Sequence, residues 1–182
     1  MRKLILGMSF ILAMSVAQAQ KMEVSASYGT ISIYGISNGI VSAIGSVIYD
    51  EEAIDSKGVL NVAFNLYSPS MKWRYGVDVS YESFDTNQKT LTEESFTTIS
   101  PKVDYFWNGA DKKLRLYSGV SVGVLLRSSE YMLGETKESF NDTVFGFNVT
   151  PIGLRYGGKF AGFVESNIGT KGLFQGGVAY QF

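Results

Sequence analysis

Residues 73–82 read WRYGVDVSYE. On an extended strand, Trp73, Tyr75, Val77, Val79 and Tyr81 share one face, and Arg74, Gly76, Asp78, Ser80 and Glu82 share the other. Strand side chains alternate with period two, so this stretch lies between an apolar and a polar medium. Which face looks inward decides the fold.

The parity recurs. In LRLYSGVSVGVLLR (114–127), Leu114, Leu116, Val120, Val122, Val124 and Leu126 oppose Arg115, Tyr117, Gly119, Ser121, Gly123 and Arg127. In ISPKVDYFW (99–107), Ile99, Val103, Tyr105 and Trp107 oppose Ser100, Lys102 and Asp104. Eight such runs are predicted, near 21–34, 58–67, 72–84, 94–107, 113–127, 142–155, 159–168 and 172–182. The sixth is interrupted by Asn148-Val149-Thr150-Pro151; proline cannot donate to a ladder, so a bulge or a frayed edge belongs there. Connectors 68–71, 108–112 and 156–159 are short, 166–172 is brief, and 35–57, 85–93 and 128–141 are long. Short turns on one rim and longer loops on the other mark a membrane barrel. The expected fold is all-β: an eight-stranded antiparallel transmembrane up-and-down β-barrel with short periplasmic turns and longer extracellular loops.

A soluble carrier with apolar residues inside is the competing arrangement. The polar faces carry Glu23, Arg74, Asp78, Glu82, Lys102, Asp104, Arg115, Arg127, Arg155 and Glu165, five acids and five bases. That balance suits a charge network inside a narrow lumen, in pairs such as Asp78 with Arg115, where a lone charge would be costly. Eight strands enclose little more than side chains fill. Small residues (Gly76, Gly119, Ser121, Gly123, Gly177, Ala179) share the charged face and make it the crowded interior. Trp73 follows the 68–71 turn and Trp107 precedes the 108–112 turn. Both are assigned to a periplasmic aromatic girdle with Tyr67, Tyr105, Tyr156, Phe160, Tyr180 and Phe182. Tyr28, Tyr34, Phe84, Phe96 and Tyr131 are assigned to the opposite one.

The chain opens MRKLILGMSFILAMSVAQAQ: Arg2 and Lys3, an apolar run from Leu4 to Val16, then Ala17-Gln18-Ala19. These are the parts of a secretory signal peptide over 1–19, cleaved after Ala19, with the barrel domain over 20–182. The apolar run is too short to span a bilayer as a helix. No cysteine follows to carry a lipid, and none is present anywhere for disulfide or thiolate chemistry. Two of the 16 basic residues lie in the leader, leaving 14 against 17 acidic ones, a balance that argues against nucleic acid.

The last eight residues, QGGVAYQF, resemble the C-terminal targeting signal of bacterial outer-membrane barrels, with Gln175, Gly177, Tyr180 and Phe182 at its positions. The mature chain as a whole is similar to the small eight-stranded barrels of the OmpA/OmpX-like superfamily, within the outer-membrane β-barrel domain proteins. The resemblance implies an outer-membrane location, recognition of the last strand by the barrel-assembly machinery, and Phe182 facing lipid at the periplasmic rim. It says little about activity.

Barrel enzymes of the outer membrane resemble one another in using a histidine beside a serine or an acid. This chain has no histidine, so the usual general base and the commonest zinc ligand are both missing. No enzyme, cofactor or metal site is expected. The acidic residues Asp50, Glu51, Glu52 and Asp55 lack calcium-loop spacing and read as a solvated loop. In ISNGIVSAIGSVIYD, Ile36, Ile40, Ile44, Val47 and Ile48 recur at helical spacing; a short amphipathic helix over 37–49 is predicted, covering the mouth or docking a partner. The expectation is a structural or interaction barrel contacting outer-membrane lipid, glycolipid and a possible protein partner. A narrow pore and, further off, a lipid-modifying enzyme are the alternatives.

Overall fold

The computed structural model describes residues 21–37, 55–85, 91–133 and 136–182. The leader over 1–19, almost all of the 37–49 segment and the acidic residues 50–52 lie outside them. Eight strands follow one another: β1 (Met22–Gly29), β2 (Asp55–Tyr67), β3 (Trp73–Asp85), β4 (Leu91–Phe106), β5 (Leu114–Leu133), β6 (Thr136–Gly157), β7 (Phe160–Gly169) and β8 (Phe174–Gln181). Each pairs antiparallel with its neighbour, and β8 returns to β1 with Glu23 opposite Gln181, closing the barrel.

Parity assigns the two faces. Val24, Leu60, Val77, Ile99, Val122, Leu154, Val164 and Val178, one from each strand, are all exposed on the outside. Glu23, Asn61, Asp78, Ser100, Ser121, Arg155, Glu165 and Gln175 are their buried counterparts inside. A continuous apolar belt around the whole molecule far exceeds the patches water-soluble monomers carry. With charges within and apolar side chains without, the barrel is built to span a bilayer. No helix among the described residues is long and apolar enough to do so.

Sequence chemistry sets the turns of one rim. In the β2–β3 turn, Met71 adopts a φ of 57° and its N–H donates to the Ser68 carbonyl at 2.8 Å. In the β4–β5 turn, the Asn108 side chain imitates a ladder rung, donating to the Leu114 carbonyl (2.6 Å) and accepting from the Leu116 N–H (3.0 Å). Gly157 holds a φ of 134° at the tight β6–β7 turn, where a β-carbon would meet the Phe160 carbonyl at 2.4 Å. Within β6, Thr150 faces Gly119 but Gly153 faces Tyr117, so one extra residue bulges at Pro151–Ile152.

The opposite, loop rim departs from expectation. In the 128–141 segment, expected as a loop, residues 128–133 and 136–141 are ladder: β5 and β6 stay paired from Arg127↔Asp142 out to Leu133↔Thr136. Polar residues on both faces hide the alternation there, yet backbone pairing does not depend on it. The first strand ends early, at Gly29, and a single helical turn over 33–37 follows it.

Candidate functional site

The lumen is filled by one connected polar network. Glu23, fully buried on β1, accepts from the Tyr67 hydroxyl (3.0 Å), Arg74 Nη1 (2.8 Å) and Arg155 Nε and Nη2 (3.0 and 2.9 Å). Arg74 Nε continues to Asp104 Oδ2 at 2.7 Å, which also meets Lys102 Nζ at 3.1 Å. Lys102 reaches Asp78 at 3.6 Å, and Asp78 meets Lys171 at 3.3 Å. Lys171 ends on Glu165 at 3.3 Å, where the Tyr117 hydroxyl (2.5 Å) and the Gln175 amide also donate. All eight strands contribute at least one member, so the network ties the wall together across its interior. In a low-dielectric setting such charges persist because each is paired.

Aromatic residues close both ends. Toward the turn rim, Tyr67, Phe106 and Tyr117 pack together with Met71 against them. Arg115 lies 3.8 Å from the Phe106 ring centroid and donates to the Met71 carbonyl. Toward the loop rim, Phe84, Phe96 and Leu125 form a second cluster, joined by Tyr34.

The network differs from the sequence reading in its partners. Asp78 meets two lysines rather than Arg115, whose guanidinium is taken by Phe106 and a turn carbonyl. Glu82 stands apart, accepting from Ser32 and Ser56. Arg127 pairs with Glu94 at 2.5 Å, again near the loop rim. Glu94 and Lys171 went unread. Glu94 shares the parity of Phe96, Thr98 and Ser100, so its signal was available; Lys171 sits in a turn, where no periodicity operates. One acid and one base are thereby added, and the interior balance is unchanged.

Tyr67, Phe84 and Phe96, assigned to the girdles, point inward, because strand parity overrides aromatic character. Trp73 and Trp107 do face outward, with Tyr105 between them at 4.9 and 5.9 Å. Among the C-terminal residues, Tyr180 and Phe182 are exposed and meet edge to face at 5.0 Å. Gln175 points inward onto Glu165, and a β-carbon on Gly177 would fall 2.7 Å from the Phe163 ring. Asp55 begins β2. Among the described residues no group of acids could hold a metal ion.

No protein-family model and no curated protein matches the chain. Among solved structures it is similar to Neisserial surface protein A, at 15% identity and a TM-score of 0.54, over 90% of this chain and 97% of that one. The fold is that of the small eight-stranded outer-membrane barrels. A second similar structure is the N-terminal β-barrel domain of Pseudomonas aeruginosa OprF, at 13% identity and a TM-score of 0.48, covering 89% and 97% of the two chains.

Proposed function

We propose that the chain is exported by its leader to the bacterial outer membrane and acts there as a non-enzymatic structural and interaction barrel. The observation that carries this reading is the lumen: a network of charge pairs and hydrogen bonds, with a member from every strand, occupies it, and an aromatic cluster closes each end. Such an interior neither conducts steadily nor holds a substrate, which leaves the outward parts to make contacts. The turn rim is then periplasmic and the loop rim extracellular, and the barrel-assembly machinery reads the last strand.

The contact element is the β5–β6 hairpin. A spanning strand needs roughly 9–11 residues, whereas β5 has 20 and β6 has 22. The surplus projects on the order of 20 Å past the loop rim. It bears Phe140 (61% exposed) and Phe145 (65%) amid exposed polar residues, and glycolipid or a protein partner would meet it first.

Purification from native outer membranes in mild detergent, with mass analysis of co-eluting material, tests the reading. Lipid or protein retained by the intact barrel and lost when 131–138 is shortened is the expected result. Steady single-channel current, or turnover of labelled outer-membrane lipid, would overturn it.

A further inference from the structure

A lysine stands immediately before every odd-numbered strand: Lys21 before β1, Lys72 before β3, Lys113 before β5 and Lys159 before β7. The last rung of a ladder fixes each of them. The Lys21 carbonyl accepts from Tyr67 N–H (2.9 Å), that of Lys72 from Phe106 (2.8 Å), that of Lys113 from Gly157 (3.0 Å) and that of Lys159 from Gln181 (2.7 Å). The donors are the final residues of β2, β4, β6 and β8. The four lysines therefore ring the turn rim two strands apart, about 10 Å measured across the strands. Each is exposed, and each is followed by an exposed apolar residue, in turn Met22, Trp73, Leu114 and Phe160. That step from apolar to cationic marks the edge of the hydrocarbon, and turns this short keep the ring within the headgroup layer.

Little nearby neutralises the ring. Among the described residues Asp111 is the acidic side chain of the turn rim, and it pairs with Lys112 at 3.1 Å. None of the four lysines forms an ion pair with a described residue. Even against a terminal carboxylate on Phe182, the rim stays net positive. Just inside, Glu23, Asp78, Asp104 and Glu165 are shared among Arg74, Lys102, Arg155 and Lys171, and Arg115 is left without a carboxylate. On the lipid-facing wall above Lys72 and Lys113, a groove of about 290 Å³ runs over Ser118 between Trp73, Tyr105, Val149 and Pro151.

We propose that the lysine ring docks anionic phospholipid headgroups, and that the hold is tightest at Lys72 and Lys113, where the groove takes an acyl chain of the same lipid. The occupant is a lipid because the two features lie at adjoining depths. Cationic groups stand at the headgroup layer and an apolar groove opens in the hydrocarbon beside them, whereas a water-soluble anion would meet only the first. The proposal rests on the bilayer-spanning fold and holds whichever leaflet the turn rim faces. Attraction to an anionic lipid surface is worth about fivefold in affinity per lysine, and salt screens it.

Trp73 and Trp107 are the only tryptophans of the chain. Trp73 lines the groove, and Trp107 is bonded to Ser118 within it. Brominated acyl chains quench tryptophan on contact, so the full-length barrel in phosphatidylcholine vesicles reports which lipid sits there. At low salt, brominated phosphatidylglycerol should quench as strongly as about five times as much brominated phosphatidylcholine, the effect of one lysine or more. Lys72→Gln with Lys113→Gln in one chain, or high salt on the unaltered barrel, brings the two lipids to parity. Lys57→Gln, at the loop rim, keeps the preference. If the double variant does not fold, the salt dependence of the unaltered barrel decides. Equal quenching by the two lipids, or a preference that survives the double substitution or high salt, would overturn the proposal. So would its loss to inorganic phosphate at an ionic strength where chloride leaves it intact, which would give the ring to a free anion. None of these outcomes bears on the scaffold reading, which stands or falls on channel current and lipid turnover.

Discussion

The Tyr117 ring occupies the space that a side chain would take at Gly153, its cross-strand partner: a β-carbon there would fall 2.3 Å from the ring carbon Cζ. The glycine lets the ring lie inside the wall, where its hydroxyl reaches Glu165 and its face lies 4.7 Å from the Arg74 guanidinium. Gly153→Ala forces the ring aside and disturbs both contacts. Overpacking of this kind costs about 1–3 kcal/mol, read as a lower urea midpoint for unfolding from lipid vesicles.

Glu23 holds Tyr67, Arg74 and Arg155 together in the lumen. Glu23→Ala leaves two buried guanidinium groups short of a counter-charge, and breaking a buried pair in this way costs about 3–5 kcal/mol. Arg155→Met in the same chain should recover part of that loss. A double-mutant cycle on unfolding free energies checks it, and simple additivity would refute the coupling.

Val122, 52% exposed, and Ser121, 5% exposed, are neighbours on opposite faces of β5. Val122→Arg puts a charge into hydrocarbon at about 2–4 kcal/mol if it lies near the bilayer midplane. Ser121→Arg instead crowds the interior beside Lys102, its partner across the ladder. Membrane insertion of the Val122 variant as efficient as that of the parent would reverse the assignment of faces.

Ser118 and Pro151 both fall in the gap of the β5–β6 ladder. The indole N–H of Trp107 donates to Ser118 Oγ at 3.1 Å, and that hydroxyl donates to the Pro151 carbonyl at 2.5 Å. Backbone groups facing lipid have no water to turn to, so Ser118→Ala strands the carbonyl at about 1–3 kcal/mol. The tryptophan fluorescence of the folded barrel should shift with it, because Trp107 loses its acceptor.

Strand number, antiparallel order and the two faces were legible from residues such as Trp73–Glu82, because a lipid-facing wall enforces strict alternation. The bulge was legible too, since Pro151 interrupts a run that otherwise keeps parity. Beyond the rim the signal fails: Ser128, Ser129, Ser139 and Asn141 are polar on both faces, so strand reads as loop. Pairing inside the lumen was not legible, because parity says that Asp78 points inward but not which cation reaches it. Lys171 does so from a turn. Phe84 and Phe96 were misplaced because their aromatic character outweighed their parity, which was correct.

The seam between β1 and β8 pairs positions almost a full chain apart. Contacts of such sequence separation form slowly, after a large loop-closure cost. Glu23 lies on one lip of that seam, yet its arginines come from β3 and β6. While the seam is open, water can enter from the side and hydrate these charges, and their mutual attraction is weak. Zipping the lips together expels that water, so closure of the wall and the strengthening of the ion pairs become one cooperative event. An arrested intermediate would be wet, loosely coupled and open along one edge, and the final rung would set the tempo of maturation.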